Sequence, residues 1–235
     1  MKAKNLLLTL AVGALAASCN SGSMTQTTAN LKTATDTASY YLGFMYGTGM
    51  QRMGLKDANM EALVAGMNTA FQGKETEANP QAMEMYLNNY FQQMAMKQAE
   101  ANLEKGQKFL AENAKKDGVK ELVDGIQYKI IKEGNGAKPA ETDVVKVHYK
   151  GTLIDGTEFD SSIKRGEPAE FPLNRVISGW TKSLKEMPVG SKWEIYIPAD
   201  QAYGQRGSGP IGPNETLIFE VELLDIVTPQ APASK

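Results

Sequence analysis

Between Gln81 and about Lys116 the chain runs thirty-six residues without a proline, and Ala, Gln, Glu, Lys and Met dominate the stretch. All are good helix formers, and nothing in the stretch forces a break. At 1.5 Å per residue it makes a rod about 54 Å long. Its front half carries an apolar stripe through Met83, Tyr86, Leu87, Tyr90, Phe91, Met94 and Met96. The half from Gln98 to Lys116 is mostly polar and reads as a solvent-exposed stalk. Upstream, Tyr41, Met45 and Thr48, then Leu63, Met67 and Ala70, recur at helical spacing. Gly54 and Asp57 divide that region into two short helices, and Gly73 to Asn79 forms a polar connection ending at Pro80. Two short helices cannot cover a stripe that long, so the spacing predicts a homodimer joined through these helices. Gly43 and Gly47 lie four apart on one face and either admit a partner helix or serve packing within one subunit. Nine of the twelve methionines lie between Met45 and Met96. They fit a dimer core, or a deformable surface that receives non-native chains.

The first eighteen residues read as a signal peptide: Lys2 and Lys4, an apolar run from Leu6 to Ala17, and small residues before Cys19. The run is too short to stay in a bilayer as a spanning helix, which takes about 20 apolar residues. Leu15-Ala16-Ala17-Ser18-Cys19 resembles the bacterial lipobox, which implies that Cys19 is lipidated and becomes the first mature residue. Asn20 after that cysteine resembles the sorting signal of an outer-membrane lipoprotein facing the periplasm. Residues 19–36 are rich in Ser, Thr, Asn and Gly and read as a flexible tether. The organisation expected beyond it is a helical dimerisation domain over 37–79, a connecting helix over 80–117, a β-rich domain over 118–228 and a disordered tail over 229–235.

Twenty-five basic and twenty-seven acidic residues leave a net charge of −2, so no basic stripe invites nucleic acid. A single cysteine excludes an internal disulfide, and one cysteine with one histidine leaves no zinc-type ligand set. His148 is the only histidine that could serve a nucleophilic triad. It falls on the polar face of its strand, beside no Ser/Asp pairing motif, and reads as a solvated surface residue.

At Asp117-Gly118 the composition changes to alternating patterns. Val145, Val147 and Tyr149 alternate with Lys146, His148 and Lys150; Trp193, Ile195 and Ile197 alternate again, as do Leu217, Phe219, Val221 and Leu223. Asp155-Gly156 marks a hairpin turn. One short helical stretch, Trp180 to Met187, sets Trp180, Leu184 and Met187 at i, i+4 and i+7 before Pro188 and Gly190. These elements predict an α+β domain, a bent antiparallel sheet wrapped on one short helix, behind an all-α N-terminal region.

Five motifs occur in order: Val147-His148-Tyr149-Lys150-Gly151, Phe159-Asp160-Ser161-Ser162, Val176-Ile177-Ser178-Gly179-Trp180, Ala202-Tyr203-Gly204 and Thr216-Leu217-Ile218-Phe219. Together they resemble an FKBP-type peptidyl-prolyl cis-trans isomerase. The helical half and Lys115-Lys116-Asp117-Gly118-Val119 resemble the macrophage-infectivity-potentiator subclass, so the likeness covers about residues 37–227. It implies a half-open sheet of five or six strands around a short helix, and a V-shaped dimer. It also implies rotation of X-Pro bonds in unfolded or secreted proteins, with no metal or cofactor.

By motif position the resemblance puts Tyr149, Phe159, Val176, Ile177, Trp180, Tyr203 and Phe219 on a pocket wall, with Ile211 at its entrance. Trp180 becomes the floor under the proline ring, and Asp160 the one acid, orienting polar groups around the rotating carbonyl. Tyr203 and the backbone N–H of Ile177 become donors to the peptide. Taken alone, Trp180 reads as plain core and Asp160-Ser161-Ser162 as a turn. Ala169 stands where many relatives place a pocket phenylalanine, which opens that wall to the solvent and weakens the case for macrolide inhibitors. Gly207-Ser208-Gly209 and Gly212 depart from those relatives in the loop over the pocket. A rival reading makes the dimer a holdase for non-native chains, with isomerisation secondary.

Overall fold

The structure is a computed structural model that describes residues 29–55, 57–74, 76 and 79–227. The stretch expected to be a signal peptide, Cys19 and the tail over 229–235 lie outside the described residues. The chain divides into two compact units, Met1–Thr48 and Gly49–Lys235.

Helix α1 (Ala34–Arg52) starts inside the stretch expected to be tether. Thr33 and Asp36 cap its first turn reciprocally: Asp36 N–H donates to Thr33 Oγ1 at 3.1 Å and Thr33 N–H to Asp36 Oδ2 at 2.8 Å. Hydrogen bonds to its carboxyl from the Thr33 N–H, the Thr33 hydroxyl and the Lys32 N–H hold Asp36 below its ordinary pKa. Helix α2 (Met60–Phe71) is capped by Asn59, whose side chain accepts from Ala62 N–H at 3.0 Å. Helix α3 (Pro80–Asn113) has Asn79 as its cap and Pro80 in its first turn, where a missing N–H costs nothing. Within the single chain the apolar side chains of these helices stay uncovered: Phe44 and Met45 on α1, Phe71 on α2, Tyr86 on α3 at 70% exposure.

The rest of the second unit is one antiparallel sheet with a short helix on it. Its strands are β1 (Val119–Glu121), β2 (Gln127–Lys132), β3 (Val144–Leu153), β4 (Glu158–Ser161), β5 (Ala169–Pro172), β6 (Lys192–Ile197) and β7 (Leu217–Val227). They run in the order β1-β2-β6-β7-β3-β4, with β5 also on β3. Seven strands exceed the five or six implied by the resemblance. The outer edge of β3 is shared: Lys150 to Thr152 pair with β4, while Val144 to Val147 pair with β5. The Asp155-Gly156 turn closes β3 onto β4, with Gly156 at φ +86°, where a side chain is strained.

The alternation seen in the sequence is the burial pattern. Val145, Val147 and Tyr149 of β3, Trp193, Ile195 and Ile197 of β6, and Leu217, Phe219, Val221 and Leu223 of β7 are buried. Helix α5 (Ser178–Leu184) closes this face with Trp180 and Leu184, and Met187 just beyond it is fully buried. A Cβ on Gly179 would lie 2.4 Å from a methyl of Ile197, so α5 meets β6 at backbone distance.

The polar half of α3 is not a free stalk. Asn102, Gly106 and Asn113 are buried, and the face they share with Phe109 lies against the β domain. The Phe109 ring meets Tyr196 at 6.0 Å, and Asn113 Nδ2 donates to Gln127 Oε1 at 3.0 Å. Hydrophobic periodicity could not reveal this contact, because apart from Phe109 it is built from amides and a glycine. His148 is likewise half-buried, with Nδ1 3.2 Å from Ser162 Oγ.

Leu184 joins helix to sheet at zero exposure. Leu184→Ala should therefore lower unfolding stability by about 2–5 kcal/mol, read as a shifted urea midpoint with unchanged slope. A shift within error would remove α5 from the cooperative core.

Candidate active site

The inner face of the sheet and α5 enclose a cavity of about 580 Å³. Trp180, Tyr149 and Phe219 on its wall are each buried to 4% exposure. The Trp180 indole is held edge-to-face by three rings: Tyr149 at 5.2 Å, Phe219 at 5.3 Å and Phe171 at 5.6 Å. Phe159 leans edge-on against Phe219 at 5.5 Å. These edge-to-face contacts surround the indole and present apolar surface to anything entering the cavity.

Gly151, opposite these rings on β3, makes the arrangement possible. A Cβ there would come within 2.6 Å of Phe159 and 2.9 Å of Phe219. Trp180 Nε1 is buried with no hydrogen-bond partner among the described residues. The N–H of Ile177, which precedes α5, has no hydrogen-bond partner among the described residues, while its carbonyl accepts from Trp180 and Thr181.

One carboxylate, Asp160, lines the cavity. It accepts from the Tyr149 hydroxyl and from Arg165 Nη1, and Arg165 Nη2 donates to Tyr149 Oη at 3.0 Å. Arg165 also lies over the Tyr149 ring, 5.6 Å from its centre. The local chain explains the geometry. Ser161 caps helix α4 (Ser162–Arg165), accepting from Lys164 N–H, and this single turn carries Arg165 back over Asp160. Ser162 Oγ accepts from Tyr149 N–H at 2.8 Å, which ties α4 to β3 behind the tyrosine. Asp160-Ser161-Ser162 is thus the junction of β4 and α4 rather than a turn, and of the three Asp160 lines the cavity.

Burial pushes the Asp160 carboxyl up, but hydrogen bonds from Tyr149 and Arg165 and the guanidinium charge outweigh it. The carboxyl stays below its ordinary range and is ionised at neutral pH. Burial and the hydrogen bond to Asp160 push the Tyr149 hydroxyl up, and burial with the nearby Asp160 charge does the same for Tyr203. Both phenols keep their protons. No group of three or more His, Cys, Asp or Glu side chains suited to a metal exists among the described residues.

Residues 135–224 match the family described as FKBP-type peptidyl-prolyl cis-trans isomerase, and residues 35–130 match the domain amino-terminal to it. The chain is 47% identical over 205 residues to the FKBP-type 22 kDa peptidyl-prolyl cis-trans isomerase of Escherichia coli K12, covering 86% of this chain and 100% of that one. The chain belongs to the FKBP-type peptidyl-prolyl cis-trans isomerases. It is also 42% identical over 231 residues to the outer membrane protein MIP of Legionella longbeachae, covering 95% of this chain and 98% of the relative. The crystal structure of FkpA from Escherichia coli matches with a TM-score of 0.62 at 38% identity, over 83% of this chain and 97% of that one.

In this FKBP-type chain the cavity gathers every residue expected there: Tyr149, Phe159, Asp160, Val176, Ile177, Trp180, Tyr203, Ile211 and Phe219. Ala169 does not line the cavity; Phe171, two residues along β5 on the same face, does. Ser208 to Pro210, from the loop expected over the pocket, line it too, while sequence reasoning missed Arg175 on the lining and Arg165 behind Asp160. Alternation with Ala169 could have found Phe171. Arg165 is fixed by a one-turn helix too short to leave a periodic trace.

The lowered carboxyl sets a pH dependence. The folded chain gives up the Asp160 proton more readily than the unfolded one, so its pairing is intact above the ordinary aspartate value of about 3.9. It is lost as pH falls from there through the lowered folded value. A carboxyl-carbon NMR titration should place Asp160 below the ordinary value, and Arg165→Ala should raise it toward that value. An identical titration in both proteins would remove Arg165 from control of the acid.

Proposed function

We propose that this FKBP-type isomerase rotates X-Pro bonds of unfolded or newly secreted proteins in the cell envelope, in the cavity floored by Trp180. The carrying observation is a box of four interlocked rings with one ionised carboxylate at its edge. Rotation of a peptide bond crosses a barrier of about 18–20 kcal/mol because the twisted amide loses conjugation. Uncatalysed, a prolyl bond takes about 10–100 s. Catalysis therefore requires only that the cavity hold the twisted form better than either planar form. A twisted amide shares less charge between nitrogen and carbonyl, so an apolar wall suits it better than water does.

In this reading the proline ring rests on Trp180, between Tyr149 and Phe219. The free N–H of Ile177 and the Tyr203 hydroxyl donate to carbonyls of the peptide, and Val176 and Ile211 flank its path. Asp160, anchored by Arg165 and Tyr149, faces the rotating carbonyl and orients its dipole. No bond is made or broken, so the site uses neither nucleophile nor metal.

The uncovered faces of α1, α2 and the front of α3 support a homodimer formed through these helices, since water-facing apolar stripes of this length are removed by pairing. The lipobox-like segment ending at Cys19 supports a lipid anchor, and the likeness to an outer membrane protein supports a position at the outer membrane facing the periplasm. Macrolides that mimic a prolyl amide are expected to compete for the same cavity.

In a protease-coupled assay on a tetrapeptide, Trp180→Ala and Asp160→Ala should each reduce kcat/KM about tenfold or more, with native circular dichroism. Wild-type rates in both variants would remove the assigned site. Sedimentation of residues 20–235 should give the mass of two chains, and deleting residues 20–79 should give one. A monomer at micromolar concentration before the deletion would remove the helical interface.

A further inference from the structure

The cavity's rim is a loop between the turn at Gly204–Arg206 and the start of β7. Ser208 and Ile211 join in a reciprocal pair of hydrogen bonds, both 2.9 Å, and Asn214 N–H donates to the Gly204 carbonyl at 2.8 Å. Ser208, Gly209, Pro210 and Ile211 line the cavity, and Ile211 is 7% exposed. From behind, α3 adds a second set of contacts. Asn102, 4% exposed on that helix, donates from Nδ2 to the Pro213 carbonyl at 2.8 Å. Its Oδ1 accepts from Gln98 Nε2 at 2.6 Å, so the amide is oriented before it meets the loop. In return Asn214 Nδ2 donates to the Ala99 carbonyl at 3.2 Å, and Asn214 itself sits at φ +53°. One turn further, a Cβ on Gly106 would come within 2.3 Å of Thr216 Oγ1, which packs Thr216 directly on the helix backbone. Thr216 leads into Leu217 and the wall residue Phe219.

We propose that Asn102, Gly106 and Asn214 are positioning residues of the prolyl site, through which the connecting helix sets the cavity's rim. None of the three lines the cavity. They act through Ile211 and Ser208 to Pro210, and the inference rests on the prolyl reading of that cavity. The helix is then a structural part of the active site. The rim touches the chain on either side of the proline, so loosening it weakens substrate capture and discrimination among residues before proline. Trp180 and Asp160 remain in place, so kcat is preserved. The C-terminal domain alone, lacking α3, carries the loosened rim by construction.

The test uses the chain from residue 20 onward. For Asn102→Ala we expect KM to rise about three- to tenfold, the worth of one buried hydrogen bond, with kcat and circular dichroism unchanged. Amide exchange at Ile211 should accelerate by a similar factor, and the preference between small and bulky residues before proline should narrow. Gly106→Ala should do the same, and Thr216→Ala in that background should restore the wild-type constants by making room for the methyl group. If Asn102→Ala does not fold, Asn214→Gly removes the reciprocal hydrogen bond while tolerating the positive φ, and the same shifts are expected. Wild-type KM and wild-type exchange at Ile211 in the folded variants would overturn the proposal. A wild-type protein without prolyl isomerase activity would overturn the reading of the cavity instead, and the exchange comparison would then decide the clamp alone.

Discussion

The indole of Trp180 is the piece around which the C-terminal domain is arranged. It belongs to a helix of only seven residues, α5, which could not hold its own position in water. Rings from β3, β5 and β7 meet it edge-on within 5.6 Å, and Gly179 beside it lets the helix settle against Ile197 of β6. The contacts that fix the helix are the contacts that shape the cavity. Core and site share the same residues, so rigidity at the site comes from ordinary packing rather than from strain. Leu184 and Met187 continue the same face into the fully buried interior.

Polar groups add direction to this apolar frame. A one-turn helix brings Arg165 onto Asp160, and the pair secures the Tyr149 hydroxyl. These ion-pair partners are partly exposed, at 46% and 44% of their side chains, so their worth is orientation more than stability. On the far side, α3 contributes amides and a glycine where a sequence reader sees only a polar helix. The long helix thus has two characters: uncovered apolar side chains toward its start, and a hydrogen-bonded docking face from Asn102 to Asn113.

The sequence disclosed most where burial follows a simple period. The alternation in β3, β6 and β7 and the i, i+4, i+7 pattern from Trp180 to Met187 translate directly into buried faces, because apolar surface is what those patterns report. The nine cavity residues came from motif likeness rather than from periodicity, which would have left Trp180 in the plain core. What stayed hidden is carried by hydrogen bonds and close backbone approaches. Arg165 and Asn102 look like any surface polar residue, and Gly106 looks like a weak point in a helix. Only the fold shows that Thr216 lies against Gly106. Phe171, the next inward position of β5 after Ala169, lines the cavity without belonging to any of the five motifs.

The chain's two tryptophans can show whether a prolyl amide sits on Trp180. Trp193 stacks on Tyr128 at 4.4 Å and does not line the cavity. With both indoles fluorine-labelled, titration with an Ala-Pro peptide should shift the Trp180 resonance while Trp193 stays fixed, and the peptide's cis and trans signals should broaden into exchange. A Trp180 resonance unmoved at saturating peptide, or movement at Trp193 alone, would contradict that placement.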